Sequence, residues 1–249
     1  VSSIHTVRLC HLYPHMMNIY ADRGNIAVFR QRLAWRDMAL VITEIGLGDD
    51  IEPGQHDLYY LGGGQDRDQN LVAKDLVAKS PALQAAADAG GAQLYVCGGI
   101  QLAGHSYVTA DGTQLPGLGI LDLTTEAGDS RLIGDLVIDA TIAGTTHRVV
   151  GYENHVGRTR LGPSCVPLGR VVSGHGNDGE SGSEGAIYNH VIGTYLHGPL
   201  LPKNPWLADL LLGWALDHRY GPDVVLRPLE DTIETRAHDA AIARAGVNR

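Results

Sequence analysis

Residues 93–104 read QLYVCGGIQLAG. The first four form a short apolar run of strand type that ends in Cys97. Gly98 and Gly99 follow at once, and Ile100-Gln101-Leu102-Ala103 can start a helix. A strand that turns sharply into a helix leaves one residue exposed at the bend. Small neighbours are needed there, because the backbone is strained and a substrate must come close. A cysteine at the bend also lies near a helix N-terminus, where unpaired N–H groups and the dipole favour a thiolate; thiol pKa values in such settings fall to roughly 3.5–7.5. The stretch therefore reads as a nucleophile elbow carrying sulfur. The competing reading is a buried cysteine at a strand end, since free cysteine is among the most buried residue types.

Working outward, strands and helices alternate on the N-terminal side. Residues 7–13 (VRLCHLY), 38–45 (MALVITEI) and 56–61 (HDLYYL) read as strands, the third running into Gly62-Gly63-Gly64. Between the first two, Ile26, Phe29, Leu33 and Trp35 recur at helical spacing, with Arg30, Arg32 and Arg36 on the side expected to face water and Asp22 or Asn25 as N-cap. Residues 70–89 read as an alanine-rich helix broken near Ser80-Pro81, where proline would open a new helix. Such alternation implies right-handed βαβ units and a mostly parallel sheet, whose chemistry collects at the carboxyl ends of the strands. Both Gly62-Gly63-Gly64 and Cys97 fall at such ends.

Beyond Tyr107 the texture changes. Residues 118–123, 132–139, 147–152 and 170–173 are short Val/Ile/Leu-rich runs separated by Gly, Asn and Thr, a hairpin and meander pattern. Residues 177–184 (NDGESGSE) read as a mobile surface loop. A last strand, 191–196, leads into His197, and 205–219 carries Leu207, Leu210, Leu211 and Trp214 at helical spacing. Residues 234–245 read as an exposed amphipathic helix. No internal repeat and no linker stands out, so residues 1–249 are expected to form one domain of α/β class.

Composition narrows the functions. The chain has 249 residues, 44% hydrophobic and 19% charged, enough for a large core. A net charge of -9 without a basic block argues against nucleic acid as a partner. Three cysteines, Cys10, Cys97 and Cys165, have no paired spacing, which points away from a disulfide framework and towards a reducing, cytoplasmic setting; Cys10 and Cys165 are read as structural. The opening Val1-Ser2-Ser3-Ile4-His5 lacks the pattern of a secretory signal, and the most apolar later stretch, 206–216, is too short to span a membrane and carries Asp209.

A cysteine nucleophile needs a base. Of 12 histidines, His197 is the candidate, because it follows an apolar strand and precedes Gly198-Pro199, at the rim of the same sheet. A neutral imidazole there takes the thiol proton and returns it to the leaving group. Attack on an acyl carbon creates an oxyanion, which a glycine run can meet with backbone N–H donors; losing one such donor typically costs about 2.7–4 kcal/mol. A flexible turn is the plainer reading of those glycines. No phosphate-binding loop occurs, and the histidines lack zinc spacing, so neither a nucleotide nor a metal is expected on this chain.

The combination of G-G-G, then C-G-G-x-Q, then a late G-T-Y-L-H-G resembles the triad-type (class I) glutamine amidotransferases, and within them the CobB/CobQ-like branch of cobyric acid and cobyrinic diamide synthases. The segments NIYADRGNIAVFRQR (18–32), LGGGQDRDQ (61–69), LPGLGILD (115–122), RLIGD (131–135), GYENHVGRT (151–159) and GTYLHGPLLPKN (193–204) bring it nearest to the glutaminase subunits, of GatD type, of lipid II isoglutaminyl synthases. The resemblance implies a flavodoxin-like amidotransferase fold with added antiparallel hairpins. It implies Cys97 as the nucleophile that forms a γ-glutamyl thioester, His197 as its acid and base, and Gly63 or Gly64 with Gly98 as oxyanion donors. Arg131 matches the arginine that holds the carboxylate of L-glutamine, and Gln101 is a candidate substrate contact. For Glu153-Asn154-His155, a motif of this branch, the sequence offers no chemical role. Many relatives in the class carry glutamate two residues after the histidine; here Pro199 stands in that place, so either a dyad suffices or a carboxylate comes from elsewhere, the partner included.

The same resemblance implies a heterodimer. Ammonia from glutamine would pass to a Mur-ligase-like subunit, MurT, which would bind ATP and Mg and amidate lipid II. Two other readings keep the fold: a free-standing γ-glutamyl or cysteine hydrolase, and a degenerate, purely binding subunit.

Overall fold

The computed structural model describes residues 4–18 and 23–247. Six strands form the central sheet: β1 (Thr6–Leu12), β2 (Ala39–Ile45), β3 (Leu58–Leu61), β4 (Ala92–Val96), and, much later in the chain, β11 (Ala186–Tyr188) and β12 (Val191–Thr194). Their order is β11-β12-β4-β3-β1-β2, with every neighbour parallel except the edge strand β11. Read from β2, the five parallel strands follow the flavodoxin-like order, which places ligands at the carboxyl edge near the reversal between β1 and β3.

Period-two alternation explains how one sheet serves two cores. In β3, Leu58 and Tyr60 face the cluster that contains Phe29 and Leu33 of α1 (Arg23–Ala34). Tyr59 and Leu61 face the opposite cluster, with Val72, Leu76 and Leu83 of α2 (Asp66–Asp88). All four are buried, as expected of a strand covered on both faces. A short helix, α3 (Gly98–Ala103), follows β4, and α4 (Pro205–Tyr220) buries Leu207, Leu211 and Leu212 on the α1 side.

A second sheet carries the hairpin half: β5 (Ser106–Val108), β6 (Gln114–Pro116), β7 (Leu123–Ile142), β8 (Thr145–Leu161), β9 (Gly169–Ser173) and β10 (Ser183–Glu184). Its order is β10-β9-β7-β5-β6, with β8 paired to β7. The last helix, α5 (Thr232–Arg244), lays Ala241 and Ile242 on Val137 and Val150 of the long hairpin, so one of its faces is covered rather than exposed.

Several expectations are corrected. The 70–89 helix is not broken: α2 runs through Pro81. Proline removes one N–H, and the residue four positions earlier, Val77, is exposed, where water can meet the freed carbonyl. Residues 118–122 are loop, and the runs 132–139 and 147–152 are pieces of two much longer strands. Arg32 and Arg36 do not face water. Arg32 is 2% exposed and ion-paired with Asp209 and Asp231, while Arg36 shares Asp209 and donates to the Arg227 carbonyl. Trp35 faces out instead. Asp22 lies outside the described residues; Asn25 is not a cap but is buried between the Tyr60 hydroxyl and the Leu201 N–H. The 177–184 segment is tied at both ends: the Asn177 side chain bridges the N–H and C=O of Gly185, and Glu184 is buried in β10.

Candidate active site

Cys97 is the hinge between β4 and α3. Its N–H donates to the Thr194 carbonyl of β12 at 2.8 Å, and its own carbonyl accepts from Ile100 at 3.1 Å. The backbone is held at φ 54°, ψ −110°, a region that costs a side-chain-bearing residue about 1–3 kcal/mol and survives only where its surroundings over-determine it. Those surroundings are visible. A Cβ on Gly99 would lie 2.5 Å from the Leu61 carbonyl oxygen, and one on Gly98 would lie 3.1 Å from the Gly64 nitrogen. Only glycine lets the start of α3 approach the carboxyl end of β3 so closely, and the approach sets Gly64 beside Gly98.

His197 reaches the same edge from the next strand. Val96 and Thr194 are register partners in the parallel pair β4–β12, so Cys97 and His197 follow adjacent strands at the same end. His197 is fully buried. Burial pushes its imidazole down to about 4, helped by the nearby His155 and Lys203 and opposed by Glu153. The ring is therefore neutral at pH 7, the form that accepts a proton. The other cysteines sit away from this edge: burial pushes Cys10 up to about 12 and raises Cys165 as well, so both remain protonated thiols.

A cavity of about 170 Å³ opens at the elbow, with Cys97, Gly98, Gly64, Gln101, Arg131 and His155 in its wall. The structure thus brings Arg131 of the second sheet to the elbow of the first. Gly63 and His197 are not in that wall. Gln101 is mostly buried and turns its amide inward, accepting from Gln69 at 2.8 Å and donating to the Tyr195 hydroxyl at 3.3 Å. The chain of bonds continues from Tyr195 to Thr159 and on to Thr125.

Sequence reasoning assigned no role to two buried carboxylates. Glu153 is fully buried and accepts from the N–H groups of His175 and Gly176 and from the His175 ring. Burial alone would raise its pKa, but these bonds and His155, 3.8 Å away, hold it below the usual carboxylate range. His155 in turn stacks on Tyr195, centroids 3.6 Å apart, and so forms a fixed wall of the cavity. Glu184, under β12, accepts from Thr194 Oγ1 at 2.6 Å and the Tyr195 N–H at 2.8 Å, and burial pushes it up to about 7. The signal for Glu153 was its motif; for Glu184, inside a polar glycine-rich run, there was none.

The sequence pattern of the CobB/CobQ-like glutamine amidotransferase domain matches residues 8–205. The chain belongs to this family. As a CobB/CobQ-like amidotransferase it is 40% identical to the lipid II isoglutaminyl synthase (glutamine-hydrolyzing) subunit GatD of Staphylococcus aureus over 97% of each chain. To the corresponding subunit of Streptococcus pneumoniae it is 38% identical, over 91% of this chain and 87% of that one. A cobyric acid synthase of Rhodobacter capsulatus is 34% identical over 59% of this chain, which corresponds to only 31% of that longer protein. A glutamine amidotransferase crystal structure superimposes with a TM-score of 0.53 at 14% identity, covering 83% of this chain and 98% of its own, a likeness of fold. The family match takes in Cys97, Arg131, Glu153 and His197; α5 lies beyond it.

Proposed function

We propose that this chain is the glutamine-hydrolysing subunit of a lipid II isoglutaminyl synthase. The hydrolysis rests on one observation: a cysteine held at positive φ in a cavity wall, one strand away from a buried neutral histidine. The choice of lipid II rests on the near full-length likeness to two subunits of that enzyme.

The Cys97 thiol gives its proton to His197, and the sulfur attacks the side-chain amide carbon of L-glutamine. The oxyanion of the tetrahedral intermediate accepts from backbone N–H groups, for which Gly64 and Gly98, both in the cavity wall with Cys97, are the candidates. His197 returns the proton to the leaving nitrogen, and ammonia departs from a γ-glutamyl thioester. Water, deprotonated by His197, then releases glutamate and restores the thiol. Arg131, in the same wall, pairs with the α-carboxylate of the substrate.

Ammonia has value only if it is used before it is protonated or lost, which favours an enclosed route to the acceptor. The acceptor reaction belongs to a Mur-ligase-like partner of MurT type, which binds ATP and Mg, activates the α-carboxyl of D-glutamate in lipid II and turns it into the amide of D-isoglutamine. Among the described residues no helix is long and apolar enough to cross a membrane; the pair works in the cytoplasm, at the inner face of the membrane that holds lipid II.

The test is glutamate release by wild type and Cys97→Ala, each alone and with the partner, alongside lipid II amidation. Release that needs Cys97, together with amidation of lipid II from glutamine by the pair, is the expected result. Cys97→Ala must still support amidation from added ammonium. If the pair hydrolyses glutamine but leaves lipid II unchanged in the presence of ATP and Mg, the assigned acceptor is wrong.

A further inference from the structure

The β7–β8 ladder breaks its register at one place. Ala127 faces Gly157 and Leu132 faces His155, so residues 128–131 stand opposite Val156 alone. A bulge of this size has no ladder bonds of its own, and bulges re-aim side chains beside active sites. Here the re-aimed residue is Arg131, the one lysine or arginine among the described residues of the cavity wall.

Two side chains of β8 hold the bulge from its two ends. Asn154 Oδ1 accepts from Arg131 Nη1 at 2.8 Å, and the Asn154 carbonyl accepts from the same nitrogen at 3.4 Å. Arg158 Nη2 donates to the Ser130 carbonyl at 3.0 Å and to its hydroxyl at 3.2 Å, while Nη1 donates to the Val156 and Gly157 carbonyls. Gly128 is part of the same device: a Cβ there would lie 2.7 Å from Arg158 Cζ. With Asn154 on Nη1, the Nε and Nη2 side of the Arg131 guanidinium has no bond to any described residue. That side is the fork that meets a carboxylate with two parallel bonds.

We propose that Asn154 and Arg158 are positioning residues that clamp the 128–131 bulge, so that Arg131 selects an amide bearing an α-carboxylate over a simple amide. This rests on the glutamine-hydrolysing reading. It also gives a role to two parts of the 151–159 segment that the chemistry at Cys97 does not use. A free arginine on an unbraced loop would have to be ordered by each substrate molecule; the clamp removes that cost before binding.

The probe is 4-aminobutanamide, which is glutamine without its α-carboxylate. Asn154→Ala, assayed in the complex with the partner, is expected to raise KM for glutamine about tenfold while kcat stays within about threefold, as fits loss of a hydrogen bond to a charged group. Turnover of 4-aminobutanamide is expected to be unchanged, so the preference for glutamine falls by the same factor. Asn154→Asp, which keeps the acceptor oxygen, restores the preference. Arg158→Ala behaves like Asn154→Ala, and Arg131→Ala with Asn154→Ala is no worse than Arg131→Ala alone. Equal losses on both amides, or additive losses in the double variant, would overturn the clamp. Glutamine binding to Cys97→Ala, with and without Asn154→Ala, separates the two readings. Binding that depends on Asn154 in a protein whose wild type releases no ammonia would sink the hydrolysis and leave the clamp; binding indifferent to Asn154 would sink the clamp.

Discussion

Tyr152 and His197 exchange both backbone hydrogen bonds, at 3.1 Å and 2.9 Å, and their rings meet edge to face with centroids 5.9 Å apart. Tyr152 lies in β8 of the second sheet, while His197 follows β12 of the first. The candidate base is thus held by both sheets at once. His197→Asn is expected to lower kcat for glutamine by roughly 10²–10⁴, the usual worth of a general base, and to spare amidation from added ammonium. Tyr152→Phe should behave as wild type. Tyr152→Gly, which removes the ring beside the imidazole, should lower kcat about tenfold through misplacement. Glutaminase kinetics decide; full activity in His197→Asn would remove the residue from the mechanism.

The strain at Cys97 has its own signature. Glycine normally costs a folded protein about 0.5–1 kcal/mol relative to alanine. At φ 54° the order reverses, because alanine keeps the Cβ that is penalised there. Cys97→Gly is expected to be about 1 kcal/mol more stable than Cys97→Ala in urea unfolding, with both inactive on glutamine. The ordinary order would mean that the backbone relaxes once sulfur is gone.

Asp209 neutralises two buried arginines. Its carboxylate pairs with Arg32 at 2.6 Å and with Arg36 at 2.6 Å, while Asp231 holds the other side of Arg32. Removing one partner leaves buried charge uncompensated, so Asp209→Ala is expected to cost about 3–5 kcal/mol. Arg32→Met, which withdraws charge and keeps volume, should cost less. Chemical unfolding of the two variants checks the ranking.

Glu184 makes stability fall as pH rises. Its carboxyl is pushed from 4.5 up to about 7 by burial, so between these values the folded chain binds a proton that the unfolded chain has lost. The contribution is whole below pH 4.5 and gone above pH 7. Glu184→Gln cannot titrate. The wild type should lose up to about 3 kcal/mol relative to this variant between pH 4.5 and pH 8. A constant gap between their unfolding free energies across that range would show that the carboxyl is not protonated in the fold.

Much of this was legible in the sequence, for reasons that also explain the rest. The strands that end at Leu61 and Val96 are buried on both faces, and such strands announce themselves as nearly continuous apolar runs. The Cys97-Gly98-Gly99 turn is legible because sterics allow few other residues so near Leu61. The hairpin texture around residues 132–152 was legible too, but the full length of β7 and β8 was not, since Gly128-Asp129-Ser130 interrupts the apolar pattern with residues that belong to the bulge. The burial of Arg32 was hidden because Asp209 and Asp231 lie far along the chain, and local periodicity carries no word of them. That Asn154 meets Arg131 follows from a register shift, which no single strand can reveal.

The place of β12 bears on how the enzyme comes into being. It pairs with β4 inside the central sheet, yet His197 lies a hundred residues beyond Cys97 in the chain. On a ribosome that adds about 5–20 residues each second, β1 to β4 emerge and collapse while the flank of β4 still lacks its neighbour. The thiol therefore spends its first seconds without its histidine. On the proposed mechanism, hydrolysis of glutamine begins only after β12 has slotted home, and a half-made subunit would release no ammonia into the cell.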